Sequence, residues 1–253
     1  MPANHTKLVT AAMLAIGDEL LSGRTKDRNI GYLADFLTLK GVDLKEVRIV
    51  GDNEPEIVEA LNALRARYVY VFTSGGIGPT HDDITADAVA KAFQVSIDHD
   101  PRAMKLLSEH YAAREIEFTE ARKRMARVPH GAELIENPIS AAPGFVIDNV
   151  NVLAGVPSIF QAMLDSIGPT LEGGIPVKSV AIDSPFPEGT IGTALAELQK
   201  RHPETAIGSY PRFDGERYTT QIVIRFRDEQ SGNAATHDVK TMLDTLQLQE
   251  QDK

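Results

Sequence analysis

A Rossmann-like, three-layer α/β/α domain with a mostly parallel sheet, followed by a small α+β module, is the architecture that the 253-residue sequence predicts. Three observations carry this reading. Over the first two-thirds of the chain, apolar strand-like runs alternate with helical patterns of roughly 10–14 residues, the β-α-β-α-β-α order of a parallel sheet covered on both faces. Each of the first three strand-like runs ends in a turn rich in Gly or Asp. Near Gly168 to Pro176, Gly and Pro cluster and the pattern changes to β-α-β-β-α. The boundary is therefore drawn there, with one domain over 1–172 and a smaller one over 173–253.

Taken in order, Leu8 to Ile16 reads as a first buried strand that ends at Gly17-Asp18-Glu19-Leu20. After a polar turn, Ile30, Leu33, Ala34, Leu37 and Leu39 form one helical stripe, stopped at Gly41. Val42 to Val50 alternates apolar and charged residues as a strand and ends at Gly51-Asp52-Asn53. Pro55 opens a second helix, with Ile57, Val58, Leu61 and Leu64 on one face. Tyr68 to Thr73 is a third strand, followed by a glycine-rich loop and a helical pattern from Ala86 to Phe93. Right-handed crossovers bring the ends of such strands to one sheet edge, so Gly17-Asp18-Glu19, Gly51-Asp52 and Ser74-Gly75-Gly76 are expected to gather there.

Pro101 to Arg127 reads as two further helices carrying Arg102, Lys105, Arg114, Arg122, Lys123, Arg124 and Arg127. A solvated helix surface is the ordinary reading; the sharper one has one or two of these cations leaning over a ligand's phosphates. Val146 to Asp148 and Val152 to Ala154 read as paired strands, then Gly155-Val156-Pro157-Ser158 leads into a helix over Ile159 to Ile167. In the second domain, Val177 to Asp183, Thr205 to Ser209 and Tyr218 to Arg227 are strands. Glu188 to Arg201 and Ala235 to Leu248 are helices, with a frayed polar tail beyond.

Composition bounds the function. Apolar content of 42% and charged content of 25% are ordinary for a soluble globular chain. A net charge of −10 argues against sequence-independent nucleic-acid binding, whose affinity comes from Lys and Arg neutralising phosphates. Gly189-Thr190-Ile191-Gly192 has the form of an RNA-binding G-x-x-G loop, but its surroundings are acidic on balance. With no Cys, disulfides and thiolate chemistry are excluded. The longest N-terminal apolar run, Val9 to Ile16, is too short to cross a bilayer, so no membrane partner is expected and a cytoplasmic location is.

The most informative stretch is the loop from Ser74 to Thr85, SGGIGPTHDDIT. A strand feeding a glycine-rich loop that opens into a helix is the build of an anion site, because first-turn N–H groups and the positive end of the helix dipole face the ligand. From Ser74 to Asp87 the chain carries no Lys or Arg, yet it carries Asp82 and Asp83. A phosphate site with carboxylates in place of a lysine needs another positive charge, and a divalent metal such as Mg²⁺ is the simplest candidate. The strand-turn-helix at Gly155, Pro157 and Ser158 offers a further set of N–H donors to the same pocket.

Gly17-Asp18-Glu19-Leu20, Asp27 and Asn29, Gly51-Asp52, SGGIGPTHDDIT, APGF at Ala142 to Phe145 and GVPS at Gly155 to Ser158 together resemble the MoaB/Mog-type molybdopterin-binding domain. The nearest subgroup is similar to the N-terminal domain of competence/damage-inducible protein A and the matching domain of FAD synthases. The segment after Gly173, with IGSYPRF at Ile207 to Phe213, is similar to the small middle domain of the same proteins. The resemblance implies a pterin- or nucleotide-type small-molecule ligand, with molybdopterin among the candidates, and a homo-oligomer, dimer or trimer. It implies two chemistries: molybdopterin adenylylation with ATP and magnesium, or metal-dependent hydrolysis of nucleotide pyrophosphates such as ADP-ribose or FAD. His81-Asp82-Asp83 is closer to the second, because the pterin-adenylylating branch usually has basic residues before its aspartate.

The candidate catalytic residues are Asp52, Asp82 and Asp83, and the candidate metal ligands Asp18, Asp82 and Asp83. The ligand cradle is assigned to Gly17, Asp18 and Asn29 on one side. The loop contributes Ser74, Gly75, Gly76, Gly78, Pro79, Thr80 and Thr85, and the distal turns Pro143, Gly144, Gly155, Pro157 and Ser158. Each acidic residue has a plainer reading. Asp83 suits a helix N-cap, although Thr85 fills that position equally well; Asp82 can point to solvent; Asp52 can be a turn residue and Asp18 a loop charge. His81 reads as a solvated loop residue, and Tyr210 and Arg212 as packing. A metal-dependent nucleotide pyrophosphatase is the leading expectation, with molybdopterin binding or adenylylation and a non-catalytic ligand-binding module as alternatives.

Overall fold

Strand β1 (Val9–Ile16) is buried along nearly its whole length, as an apolar run covered on both faces must be. A single turn, α1 (Asp18–Leu21), and helix α2 (Asn29–Leu39) lead to β2 (Val42–Val50). Helix α3 (Glu54–Arg65) starts at Asn53, whose side chain accepts the Glu56 N–H, with Pro55 in the first turn. Then come β3 (Tyr70–Ser74), α4 (Thr85–Phe93), β4 (Ile97–His99), α5 (Pro101–Ala112) and the single turn α6 (Glu120–Lys123). Short strands β5 (Arg127–Pro129) and β6 (Glu133–Ile135) precede the hairpin β7 (Gly144–Ile147) and β8 (Val150–Leu153), and α7 (Pro157–Ile167) follows. These elements are those of a computed structural model that describes residues 8–213 and 215–251.

The main sheet has the order β2-β1-β3-β8-β7-β6. Its β2-β1-β3-β8 core is parallel, β7 pairs antiparallel with β8, and β6 pairs antiparallel with β7. One face packs Ala12, Leu14 and Ile16 against α3, α4 and α5. The other packs Ala11, Met13 and Phe72 against Leu33 and Leu37 of α2 and Phe160, Met163 and Leu164 of α7. Alternate residues of β1 thus serve opposite layers, and each large side chain buried this way contributes about 1.5–3 kcal/mol.

The chain divides into two compact units, Met1–Gly174 and Ile175–Lys253. The second holds β9 (Lys178–Ser184), α8 (Glu188–Arg201), β10 (Ala206–Phe213), β11 (Tyr218–Phe226) and α9 (Glu229–Gln251). Its antiparallel sheet, β10-β11-β9, packs Ile222, Ile224 and Phe226 against Ile191, Leu195 and Leu198 of α8 and Val239 of α9. Gly189 and Gly192 lie in the first turns of α8, not in a loop. Tyr210 and Arg212 are on the sheet, where Tyr210 accepts from Arg225 at 3.1 Å and Arg212 pairs with Asp183 at 3.2 Å.

Four local expectations change. The second of the two helices expected between Pro101 and Arg127 is a single turn, and Arg127 begins β5, which pairs with β4. Neither three-residue strand is long enough to show a period. Strand β3 starts two residues later than Tyr68, whose hydroxyl instead donates to Glu46 at 2.7 Å. Helix α9 begins at Glu229 and runs past Leu248 to Gln251, where a frayed tail was expected. The last two residues of that tail, 252 and 253, lie outside the described residues. Among the described residues no helix is long and apolar enough to cross a membrane.

Candidate functional site

The ends of β1, β2, β3 and β8 meet at one sheet edge, and their loops are tied to one another by name. The Gly17 N–H donates to the Val50 carbonyl at 3.0 Å. Asp18 and Asp52 cap each other: the Asp18 N–H donates to Asp52 Oδ2 at 3.0 Å and the Asp52 N–H to Asp18 Oδ1 at 3.3 Å. The Gly75 N–H donates to the Leu153 carbonyl at 3.2 Å. Asn29, at the start of α2 and 3% exposed, completes the frame. Its Nδ2 donates to Ser74 Oγ and to the Gly155 carbonyl, both at 2.8 Å.

The glycine loop is shaped by its backbone. Gly75 (φ +107°) and Gly76 (φ +67°) occupy conformations that side chains disfavour, and a Cβ at Gly75 would run into the Ile16 carbonyl. Thr85, expected as a possible cap for the following helix, is instead its first residue, and Ile84 holds the cap position without a side-chain bond. Buried against the loop, Thr85 donates from Oγ1 to the Gly75 carbonyl and from its N–H to the Gly76 carbonyl, each at 2.9 Å. The tight turn needs this clamp more than α4 needs a cap. Asp83 is not the cap either: its Oδ2 accepts from the Thr80 N–H at 2.8 Å and the Thr80 hydroxyl at 2.5 Å. The N–H groups of Gly76, Ile77 and Gly78 donate to no acceptor among the described residues, which leaves three consecutive donors on the loop for an anion.

Carboxylates crowd this edge. Glu19 folds over Gly17, Asp18 over Gly51 and Asp83 over Gly78, so a Cβ at any of these glycines would collide with a carboxylate. Burial pushes the Asp52 carboxyl above its ordinary value; the Asp18 amide works against that rise, and the charges of Asp18, Glu19 and Asp82 add to it. Among the described residues no group of three or more His, Asp or Glu side chains is disposed to hold a metal by itself.

On the far side of the loop lie two cations that sequence reasoning left among seven. A narrow cleft is lined by Gly76, Gly78, Asp83, Arg124, Arg127 and Pro143. Arg127 is committed to Asp87 through paired bonds at 2.7 and 2.6 Å, whereas Arg124 donates to the Asp83 carbonyl at 3.2 Å. Arg124 opens the 3-10 turn Arg124–Ala126 that follows α6 and Arg127 opens β5, a placement that no local period announces.

The other candidates separate by position. Pro79, Thr80, His81 and Asp82 are exposed on the loop, and Gly155 and Ser158 are exposed at the start of α7. Val156 caps α7 without a side-chain bond, and Pro157 occupies the first turn. Ser74 and Asn29 are buried and spend their side chains on the frame. Gly144 is buried within β7, where a Cβ would strike the Val152 carbonyl, so strand packing accounts for the glycine there.

Comparison with known proteins agrees with this architecture. The family described as "Probable molybdopterin binding domain" matches residues 12–173, and that described as "FAD synthase, middle domain" matches residues 176–252. A protein of Aeropyrum pernix is 34% identical over 212 residues, covering 80% of this chain and 79% of its own length. A CinA-like protein of Myxococcus xanthus is 34% identical over 209 residues, covering 78% of this chain and 50% of its own, so the likeness spans half of that relative. The crystal structure of the protein CinA, of unknown function, from Thermoplasma acidophilum superposes with a TM-score of 0.60 at 31% identity, covering 64% of this chain and 98% of that one. The chain belongs to the molybdopterin-binding-domain family, in the arrangement that joins this domain to a module of the FAD synthase middle-domain type.

Proposed function

We propose that the strand-end loops bind a phosphorylated nucleotide or pterin and that the chain, with a divalent metal, hydrolyses the phosphoanhydride of a nucleotide such as ADP-ribose or FAD. The observation that carries the reading is the pairing of three unpartnered loop amides at Gly76, Ile77 and Gly78 with an acidic edge centred on Asp52. Amides alone hold an anion, but carboxylates beside it repel it unless a cation stands between.

The donor set fits a hard divalent cation. Asp18 spends one oxygen on the Asp52 N–H and keeps the other, and Asp82, whose charge acts on Asp52, is exposed. Mg²⁺ typically takes one or two carboxylates, waters and the substrate's own phosphates, so a closed protein cage is unnecessary. When bound, such an ion would neutralise charge on the phosphate oxygens. The loop amides would orient the phosphate under attack. The free oxygen of Asp52, whose raised pKa favours accepting a proton, would take one from the attacking water. The water oxygen bonds to phosphorus, the bridging P–O bond breaks, and the leaving phosphate departs with the electron pair. Asp83 holds the turn by accepting from Thr80 at Oδ2, and its Oδ1 would be available to a bound metal.

Purified protein assayed with Mg²⁺, Co²⁺ or Mn²⁺ should release AMP from ADP-ribose or FAD, and Asp83→Ala should not. Absence of AMP with every metal and both substrates would overturn the hydrolase reading. The family match over residues 12–173 favours a second reading, molybdopterin binding or adenylylation. It predicts that added molybdopterin is retained and, with ATP and magnesium, adenylylated.

A further inference from the structure

We propose that Arg124 supplies a protein cation to the glycine loop beside any bound metal: its guanidinium binds the phosphate of the ligand held by the Gly76–Gly78 amides. The inference rests on the phosphorylated-ligand reading above and names a side chain for it. Three observations converge. Arg124 and the loop residues Gly76 and Gly78 line one cleft, together with Asp83 and Asp87. Arg124 is loosely engaged: one bond to the Asp83 carbonyl at 3.2 Å and a distant approach to Asp87 at 3.9 Å. Its Nε is buried yet has no acceptor among the described residues, and a buried guanidinium donor without an acceptor is costly.

Arg127, the other arginine of the cleft, differs on each count. Its guanidinium is matched by both oxygens of Asp87, a bidentate pair that uses up its fork and Asp87's charge together. Arg127 therefore anchors the wall, and Arg124 retains donor capacity. A phosphate oxygen at the cleft mouth would supply the acceptor that Nε lacks and meet the loop amides on its other side. Guanidinium suits this role because it offers parallel donors at fixed spacing and keeps its charge. As it stands the cleft has room for about one water molecule, so a phosphate would be met at its mouth once Arg124 gives up its one bond to the Asp83 carbonyl.

The test is the affinity of ADP-ribose, measured by calorimetry on the full chain, for wild type, Arg124→Gln, Arg124→Ala and Arg124→Lys. Gln keeps most of the aliphatic stem and stays polar without the charge, so it guards the test against a folding defect in the Ala variant. Loss of a charge-assisted bond predicts binding weaker by roughly 10- to 100-fold in the neutral variants, with Lys in between. Raising the salt concentration should narrow the gap between wild type and Arg124→Gln. A folded Gln or Ala variant that binds ADP-ribose within about twofold of wild type overturns the assignment. Wild type that binds no ADP-ribose overturns the ligand reading itself, a distinct result.

Discussion

Replacing Asn29 by alanine removes the side chain that holds two of the converging loops together. Its Nδ2 serves Ser74 Oγ and the Gly155 carbonyl at 2.8 Å each, from a position 3% exposed. The Ser74 hydroxyl, which is buried, costs about 1–3 kcal/mol when left unpaired, and the part-exposed Gly155 carbonyl less, since water can reach it. Part of that is returned, because Asn29 Oδ1 is itself buried without a partner and disappears with the substitution. The Ser74 hydroxyl can also rotate toward a new acceptor. A net loss of about 2 kcal/mol follows, which for a domain of this size lowers the melting temperature by about 4–8 °C. Calorimetry on the full chain reads it, with any separate transition of the second unit as internal control. Asn29→Asp keeps the shape but removes the donor and buries a charge opposite a carbonyl, so it should cost more than alanine. If Asn29→Ala melts within about 1 °C of wild type, the frame does not depend on this residue and the reasoning fails.

Two further substitutions test the loop and the acidic edge. Gly75→Ala places a Cβ against the Ile16 carbonyl at φ +107°, a backbone clash that no rotamer relieves. It should cost about 3 kcal/mol or more and abolish ligand binding, whereas Gly23→Ala, at φ +73° in open space, should cost only about 1 kcal/mol; equal losses in urea titrations would refute the close-approach argument. Asp52→Asn concerns pH. Because the folded carboxyl is raised above its unfolded value, its favourable contribution is fully present below the unfolded value of about 3.9 and is lost as pH rises through the folded one. At neutral pH the charge is therefore a cost, and Asp52→Asn, whose amide oxygen still accepts the Asp18 N–H, should be more stable than wild type. The advantage should vanish near pH 3.5, about where the unfolded carboxyl is protonated. Denaturation curves showing the same difference at both pH values would contradict it.

Periodicity made much of the fold legible. Strand β2 and helix α8 fall where Val42–Val50 and Glu188–Arg201 were read, because both are long enough for period and cap to agree. The parallel core and the gathering of Gly17, Asp52, Gly75 and Gly155 follow from βαβ handedness, which depends on chain chirality and not on particular side chains. Strands β4, β5 and β6 were not legible, since three residues carry no period and their pairing is settled by partners distant in sequence.

By itself the sequence determined the alternation of strands and helices, the glycine loop without a lysine, and the acidic character of the strand-end turns. Those are local properties: steric freedom at glycine, apolar spacing, and charge. Only the tertiary structure decided what each polar side chain does. Thr85 clamps Gly75 and Gly76 where capping α4 was the local expectation, and Asn29 braces β3 against the turn after β8. Of seven basic residues in one segment, Arg124 and Arg127 are the two placed in the loop's cleft. A side chain's role depends on which donors and acceptors the fold leaves unpaired within about 3 Å of it, and that distance is set by residues far away along the chain.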